Sequence, residues 1–163
     1  SKVLLDIASS LFAVLYLGLP LGTLAAIHAS VGREAVLLLL ATVMVSDSAQ
    51  YYGGRLFGRI PLSPTISPNK SVEGALCGVV AGVALVVVYA QPALGPSSLF
   101  HRVSLGVIVV MLGIAGDLFE SQLKRGVGVK DASALIPGHG GMLDRIDSLL
   151  FASPGFYLFL RFW

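Results

Sequence analysis

Long apolar stretches separated by short polar ones dominate the chain. A membrane-spanning helix needs about 20 mostly apolar residues, and polar residues that face protein or water can extend a shorter run. Five stretches satisfy this rule, at about residues 7–31, 35–53, 72–91, 102–124 and from 144 to the end. The pattern therefore predicts an all-α fold, a polytopic membrane bundle of about five transmembrane helices in a single domain, residues 1–163.

Two polar connections interrupt this pattern. Residues 53–71 are rich in Gly, Pro, Ser and Arg and predict an ordered polar loop. Residues 125–143 carry Gly, Lys, Asp, Pro and His and predict a loop or a short surface helix. Within the first apolar stretch, Gly18, Pro20 and Gly22 predict a bend or a break in the helix.

Composition supports a location in the bilayer. Of the 163 residues, 55% are hydrophobic and 12% are charged, whereas about a quarter of the residues in a soluble domain are charged. The net charge of +2 is too small to indicate a nucleic-acid partner. Cys77 is the only cysteine, which excludes an intramolecular disulfide and a zinc site built from cysteines.

The distribution of Lys and Arg predicts the orientation. Cytoplasmic loops usually hold the excess of basic residues. An amino terminus inside the cell leaves three basic residues outside, Arg33, Arg102 and Arg161, and places eight in the cytoplasm. Those eight are Lys2, Arg55, Arg59, Lys70, Lys124, Arg125, Lys130 and Arg145.

Four carboxylates, Asp47, Asp117, Asp144 and Asp147, lie where apolar stretches meet that same side. A single acid at such a position can simply end a helix at the interface. Ionisable groups at membrane depth are costly, however, and they usually face a cavity or a partner. Carboxylates from separate helices with few nitrogen ligands nearby favour a hard cation such as Mg²⁺ over zinc.

Basic and glycine-rich segments accompany these acids. Asp117, Glu120, Ser121 and Lys124 follow helical spacing along one face. The motif PGHGG at 137–141 offers backbone amides that can approach phosphate oxygens closely. The sequence contains no GxxxxGK[ST] phosphate loop. These features together predict a site for magnesium and a polyphosphate.

Two segments carry a family resemblance. SQLKRGVGVKDASALIPGHGGMLDRID, from Ser121 to Asp147, resembles the C-terminal signature of phosphatidate cytidylyltransferases, also called CDP-diacylglycerol synthases. SDSAQYYGGRLFGRIPLSPTISPNKSVEGALCG, from Ser46 to Gly78, is similar to the central region of that family. Bacterial members commonly carry additional helices ahead of this region, so the chain resembles their catalytic half.

The resemblance implies an activity and a set of site residues. CTP would react with phosphatidate or a similar lipid phosphate at a prokaryotic inner membrane, on its cytoplasmic side, with Mg²⁺ required and a second, monovalent cation left open. The implied metal ligands are Asp117, Asp144 and Asp147. The implied catalytic residues are Lys124, Arg125, Lys130, Asp131 and Asp144. The implied substrate contacts are Asp47, Ser67, Lys70, Ser121, His139, Gly140, Gly141 and Arg145.

Three alternatives stay open from the sequence. The lipid phosphate can be ether-linked, as in the compact archaeal CDP-archaeol synthases, although the intact PGHGG and DRID elements resemble the bacterial family more. Intramembrane acids can also define an ion pathway in a transporter, but these acids cluster on one side of the membrane. The third alternative is an inactive scaffold. A symmetric homodimer is the default expectation for such an assembly.

Overall fold

Six α-helices form the bundle in the computed structural model, which describes residues 2–129 and 141–162. They are α1 Lys2–Ala13, α2 Leu19–Ser30, α3 Arg33–Phe57, α4 Val72–Leu94, α5 Leu99–Gly126 and α6 Leu143–Phe162. A π-helical segment, Val14–Gly18, joins α1 to α2, so the chain stays helical through Gly18, Pro20 and Gly22 and is not broken there. The predicted all-α membrane bundle is confirmed.

Four helical stretches of the described chain are long and apolar enough to cross a membrane. They are the continuous helix Lys2–Ser30 and the helices α3, α4 and α5. The fifth predicted span forms α6, a helix of 20 residues. It carries charged residues at both ends, Asp144 and Asp147 at the start and Arg161 at the finish, and it is not one of these four. Four of the five predicted spans therefore meet this criterion of length and composition, and the fifth is present as a helix.

The predicted polar loop at 53–71 is wrong in part, because this segment contains regular structure. Helix α3 continues to Phe57, and strands β1 (Pro61–Ser63) and β2 (Ser67–Ser71) pair in an antiparallel hairpin. The Glu73 carboxylate accepts hydrogen bonds from the backbone N–H groups of Arg59 (3.0 Å) and Ile60 (3.2 Å). These bonds fix the start of the hairpin to the first turn of α4.

Side-chain capping then defines where α4 begins. Ser71 is the N-cap residue, and its hydroxyl accepts a hydrogen bond from the backbone N–H of Gly74 at 3.1 Å, which satisfies one of the otherwise unpaired amides of the first turn. Lys70 directly precedes this cap at the end of β2. The local sequence thus holds Lys70 beside the amino terminus of a membrane helix.

The apolar core lies on the side of the bundle away from the hairpin. Its buried residues come from α2 to α6 and include Ile27, Leu39, Val86, Leu105 and Phe156. All residues of α1 are exposed and most of them are apolar, as expected for a helix that faces lipid. The packed core and the polar end of the bundle are therefore separate regions of one domain.

Glycine allows α3 and α4 to approach closely next to the hairpin. A Cβ added at Gly74 would lie 2.7 Å from the Gln50 carbonyl oxygen and 3.0 Å from the Gly54 Cα. Both contacts are with backbone atoms, which cannot rotate away. Small residues commonly permit such close contacts between membrane helices.

We expect Gly74→Ala to lower the free energy of unfolding by about 1–3 kcal/mol, because the added methyl group forces the two helices apart. Thermal and denaturant unfolding of purified protein in detergent measures this effect. Gly22→Ala is the matched control, since Gly22 is also helical but has no heavy atom within 4 Å of its added Cβ. Equal stability of the two variants would contradict this account of α3–α4 packing.

Candidate active site

A cavity of about 420 Å³ lies where α3, the hairpin, α4 and α5 meet. Four of its lining residues, Asp47, Ser67, Lys70 and Asp117, are residues that the sequence predicted for the site. They come from α3, β2 and α5, which are distant in sequence. The other lining residues are Gln50, Tyr51, Gly54, Arg55, Leu62, Asn69, Ser71 and Ala75.

Lys70 and Asp117 form an ion pair across this cavity. The Lys70 ammonium contacts the Asp117 carboxylate, and the two side chains are 24% and 28% exposed. Their partial burial keeps the charges out of bulk water, so the attraction is screened less than at an open surface. The pair connects the hairpin to α5 and leaves both charged groups beside the cavity.

Close packing of α5 and α6 brings Asp147 near Asp117. A Cβ added at Gly116 would lie 2.5 Å from the backbone oxygen of Asp147, so glycine is needed for α6 to lie against α5 here. Asp147 is buried, and its carboxylate accepts a hydrogen bond from the Ser148 N–H at 2.7 Å. It also interacts electrostatically with Asp117 and Asp47.

Asp47 completes this first group of acids from α3. Its carboxylate accepts a hydrogen bond from the Gln50 side-chain amide at 3.1 Å and interacts with the Ser148 hydroxyl of α6. Three helices therefore each contribute one carboxylate to the acid group Asp47, Asp117 and Asp147. Mutual repulsion among three close carboxylates is unfavourable unless cations are near, and Lys70 supplies one such charge.

A second cluster lies next to the acid group, where α5 ends and α6 begins. The Lys124 ammonium lies 2.5 Å from a carboxylate oxygen of Asp144 and also contacts Glu120. The backbone N–H of Gly141 donates to the other Asp144 oxygen at 2.7 Å. Lys124 and Gly141 thus both contact Asp144, and all three residues were predicted from the sequence.

Glu120 also belongs to this cluster, although the sequence analysis placed it on the helix face with Asp117 and Lys124 without assigning it a role in the site. Its side chain is 0% exposed, and it interacts electrostatically with both Asp144 and Asp147. It therefore connects the Lys124 cluster to the acid group. The helical spacing from Asp117 to Lys124 was the available signal, but full burial depends on how α6 packs.

The remaining predicted residues are less central or lie outside the described residues. Ser121 is half-buried on α5, Arg125 is exposed near the end of α5, and Arg145 is exposed in the first turn of α6. Lys130, Asp131, His139 and Gly140 fall in the segment 130–140, which the structure does not describe.

Magnesium is the cation that the sequence analysis predicted for this site. The acid group offers only carboxylate oxygens, which are the ligands that hard divalent cations prefer. Within residues 2–129 and 141–162, no three Asp, Glu, His or Cys side chains lie close enough to hold an ion together. A Mg²⁺ site on Asp117, Asp144 and Asp147 therefore stays a prediction.

Acidic and basic side chains gather at one end of a helical bundle that has several candidate membrane spans, which is the architecture of a polytopic membrane protein. Comparison with known proteins makes the assignment specific. The chain belongs to the cytidylyltransferase family, whose model matches residues 1–163.

Curated relatives carry more specific names. A phosphatidate cytidylyltransferase of Helicobacter pylori is 38% identical over 155 residues, covering 95% of this chain and 58% of that protein. One of Thermotoga maritima is 37% identical over 166 residues, covering 99% of this chain and 62% of that protein. The chloroplastic phosphatidate cytidylyltransferase 5 of Arabidopsis thaliana is 41% identical over 134 residues, covering 82% and 33%. The chain thus spans less than two thirds of the length of each of these relatives.

Proposed function

We propose that this protein transfers CMP from CTP to phosphatidate or a similar lipid phosphate, releasing pyrophosphate. The observation that carries the proposal is the convergence of Asp47, Asp117 and Asp147 from three helices, with Lys70 beside them at a cavity. The names of the relatives from Helicobacter pylori and Thermotoga maritima support the same reaction. The substrate pair, CTP and a membrane lipid, matches a cavity at one end of a membrane bundle that is lined by both charged and apolar groups.

The proposed reaction is an in-line displacement at phosphorus. A phosphate oxygen of the lipid forms a bond to the α-phosphorus of CTP, and the bond from that phosphorus to the β-phosphate oxygen breaks. A phosphate monoester has a second pKa of about 6, so the nucleophile is already ionised near neutral pH. The protein therefore needs no strong general base, and its task is to position and neutralise charged phosphates.

Lys70 and Lys124 are the cations best placed for that task. Each contacts a carboxylate of the site, Lys70 with Asp117 and Lys124 with Asp144, and each ammonium has further hydrogen-bond donors for phosphate oxygens. The carboxylates keep the lysine side chains in place before substrate binds. We assign Lys70 to the nucleotide side because it lines the cavity.

Magnesium is part of this proposal. Asp117 and Asp147, whose carboxylates interact, would hold the ion, and Asp144 would join them from the adjacent cluster. When bound, the ion neutralises charge on the triphosphate and on the leaving pyrophosphate. The proposal also places this end of the bundle in the cytoplasm, supported by the excess of Lys and Arg on that side.

The test supplies purified protein in detergent with CTP, phosphatidate and Mg²⁺. We expect CDP-lipid and pyrophosphate in equal amounts, and we expect chelation by EDTA to lower the rate at least about a hundredfold. Readdition of Mg²⁺ restores the rate. Replacing phosphatidate by an ether-linked lipid phosphate and comparing the rates of CDP-lipid formation shows whether the enzyme distinguishes ester-linked from ether-linked chains. Ion flux in liposomes without any CDP-lipid would contradict the proposal and favour transport.

A further inference from the structure

Tyr16 occupies an unusual place in the first membrane helix. It lies within the π-helical segment Val14–Gly18, and such segments occur frequently at functional sites. Its ring packs with Phe12 of α1, Phe119 of α5 and Phe151 of α6, at centroid distances of 5.4, 5.5 and 6.4 Å. The neighbours of Tyr16 on α1 are exposed, whereas Tyr16 is half-buried. The π-helical turn thus directs one side chain of a lipid-facing helix toward α5 and α6.

The hydroxyl group of Tyr16 requires a separate explanation. The aromatic contacts account for a ring at this position, and phenylalanine would make them equally well. The hydroxyl oxygen is buried and has no hydrogen-bond partner within the described parts of the chain. Burying a hydroxyl without a partner is unfavourable, and such groups in native proteins usually bind water or a ligand. Tyr16 also lies near enough to Asp147, Glu120 and Lys124 to interact with their charges.

Tyr16 does not line the cavity, and its ring packs against α5 and α6, of which only α5 contributes to the cavity. Asp147 interacts with Asp117 and Asp47, which line the cavity, and also with Tyr16. The cavity side is formed by α3, the hairpin and α4, while Tyr16 approaches from the most lipid-exposed helix. The two proposed substrates come from different phases. CTP, from water, would enter the cavity, and the lipid phosphate, from the bilayer, would bind near Tyr16.

We propose that the Tyr16 hydroxyl donates a hydrogen bond to the phosphate of the lipid substrate and that Lys124 neutralises the same phosphate. The ligand class is a lipid phosphate monoester bound on the α1, α5 and α6 side of the acids. The inference rests on the proposed function, because it assigns one of its two substrates to a subsite. It makes Tyr16 a substrate-binding residue that is specific for the lipid and has no contact with CTP.

The test compares wild-type protein with Tyr16→Phe, which removes only the hydroxyl and keeps the ring. Phosphatidate and diacylglycerol, which lacks the phosphate, are titrated into purified protein in detergent, and CTP is titrated separately. We expect Tyr16→Phe to weaken phosphatidate binding about tenfold, as for a lost hydrogen bond to a charged group. Binding of diacylglycerol and of CTP should not change. In turnover assays, KM for phosphatidate rises while KM for CTP stays the same.

Tyr89→Phe is the matched control, because Tyr89 is 59% exposed on α4 and lies at a different cavity, near Glu34. It should bind all three ligands like the wild type. Unchanged phosphatidate affinity in Tyr16→Phe would overturn the inference. The inference would also be overturned if Tyr16→Phe lost the same affinity for phosphatidate and for CTP and had a lower thermal stability. That result would show that the hydroxyl bonds to the protein and supports the fold. Wild-type protein that shows no preference for phosphatidate over diacylglycerol also overturns it.

Failure of the proposed function gives a different result. In that case phosphatidate binds in a Tyr16-dependent way, but no CDP-lipid forms with CTP and Mg²⁺. The binding measurement therefore decides the subsite, and the product measurement decides the reaction.

Discussion

Asp117→Asn is expected to lower the turnover of CTP and phosphatidate about a thousandfold, with little change in folding. Asp117 lines the cavity, interacts with Asp147 and forms the ion pair with Lys70. The amide keeps the size of the side chain but loses the charge that pairs with Lys70 and attracts a divalent cation. Initial rates of CDP-lipid formation at saturating substrates measure the effect, and thermal unfolding checks the fold.

Asp6→Asn is the control for this change. Asp6 is an exposed carboxylate on α1, a helix that contributes none of the acids or lysines of the site, and the same chemical substitution there should leave turnover at the wild-type level. If Asp117→Asn retained more than about a tenth of wild-type turnover, Asp117 would be removed from the proposed metal and phosphate site.

Lys124→Met is expected to reduce turnover at least about a hundredfold and to lower the free energy of unfolding by about 3 kcal/mol. Lys124 contacts both Glu120, which is fully buried, and Asp144. Removing the ammonium leaves a buried carboxylate without its cation, and the site also loses a charge for phosphate. Denaturant unfolding in detergent and CDP-lipid formation measure the two effects separately.

A double variant separates stability from catalysis. Glu120→Gln combined with Lys124→Met removes the unpaired buried charge, so it should recover most of the lost stability but none of the turnover. Lys2→Met, at the exposed start of α1, is the control and should match the wild type in both measurements. Recovery of turnover in the double variant would show that Lys124 acts only by supporting the fold.

The sequence was sufficient to predict that several acids gather at one end of the bundle. Asp47, Asp117 and Asp147 could be placed on one side because each ends an apolar run, and the structure brings these three together. Asp144, predicted with them, instead contacts Lys124 and Gly141 in the adjacent cluster. Sequence spacing places residues on one helix face, but the packing of α5 against α6 decides which partners they reach.

Other features had no usable signal in the sequence. The hairpin strands have three and five residues, too few for an alternating pattern, and their prolines indicated a loop. Tyr16 lies in an apolar run, and no residue pattern marks the π-helical turn that carries it. Glu73 fixes the hairpin through hydrogen bonds to Arg59 and Ile60, contacts that depend on the folded path of the chain. Each of these features arises from tertiary structure rather than from local preference.

Photoaffinity labelling with a photoreactive CTP analogue tests most directly the claim that the nucleotide binds at the acid-lined end of the bundle. After proteolysis and mass spectrometry, we expect label in the segments that form the cavity, residues 47–55 and 62–75, with unlabelled CTP suppressing it. Label confined to the opposite end, around the cavity lined by Glu34, Tyr89 and Pro92, would contradict the proposed site.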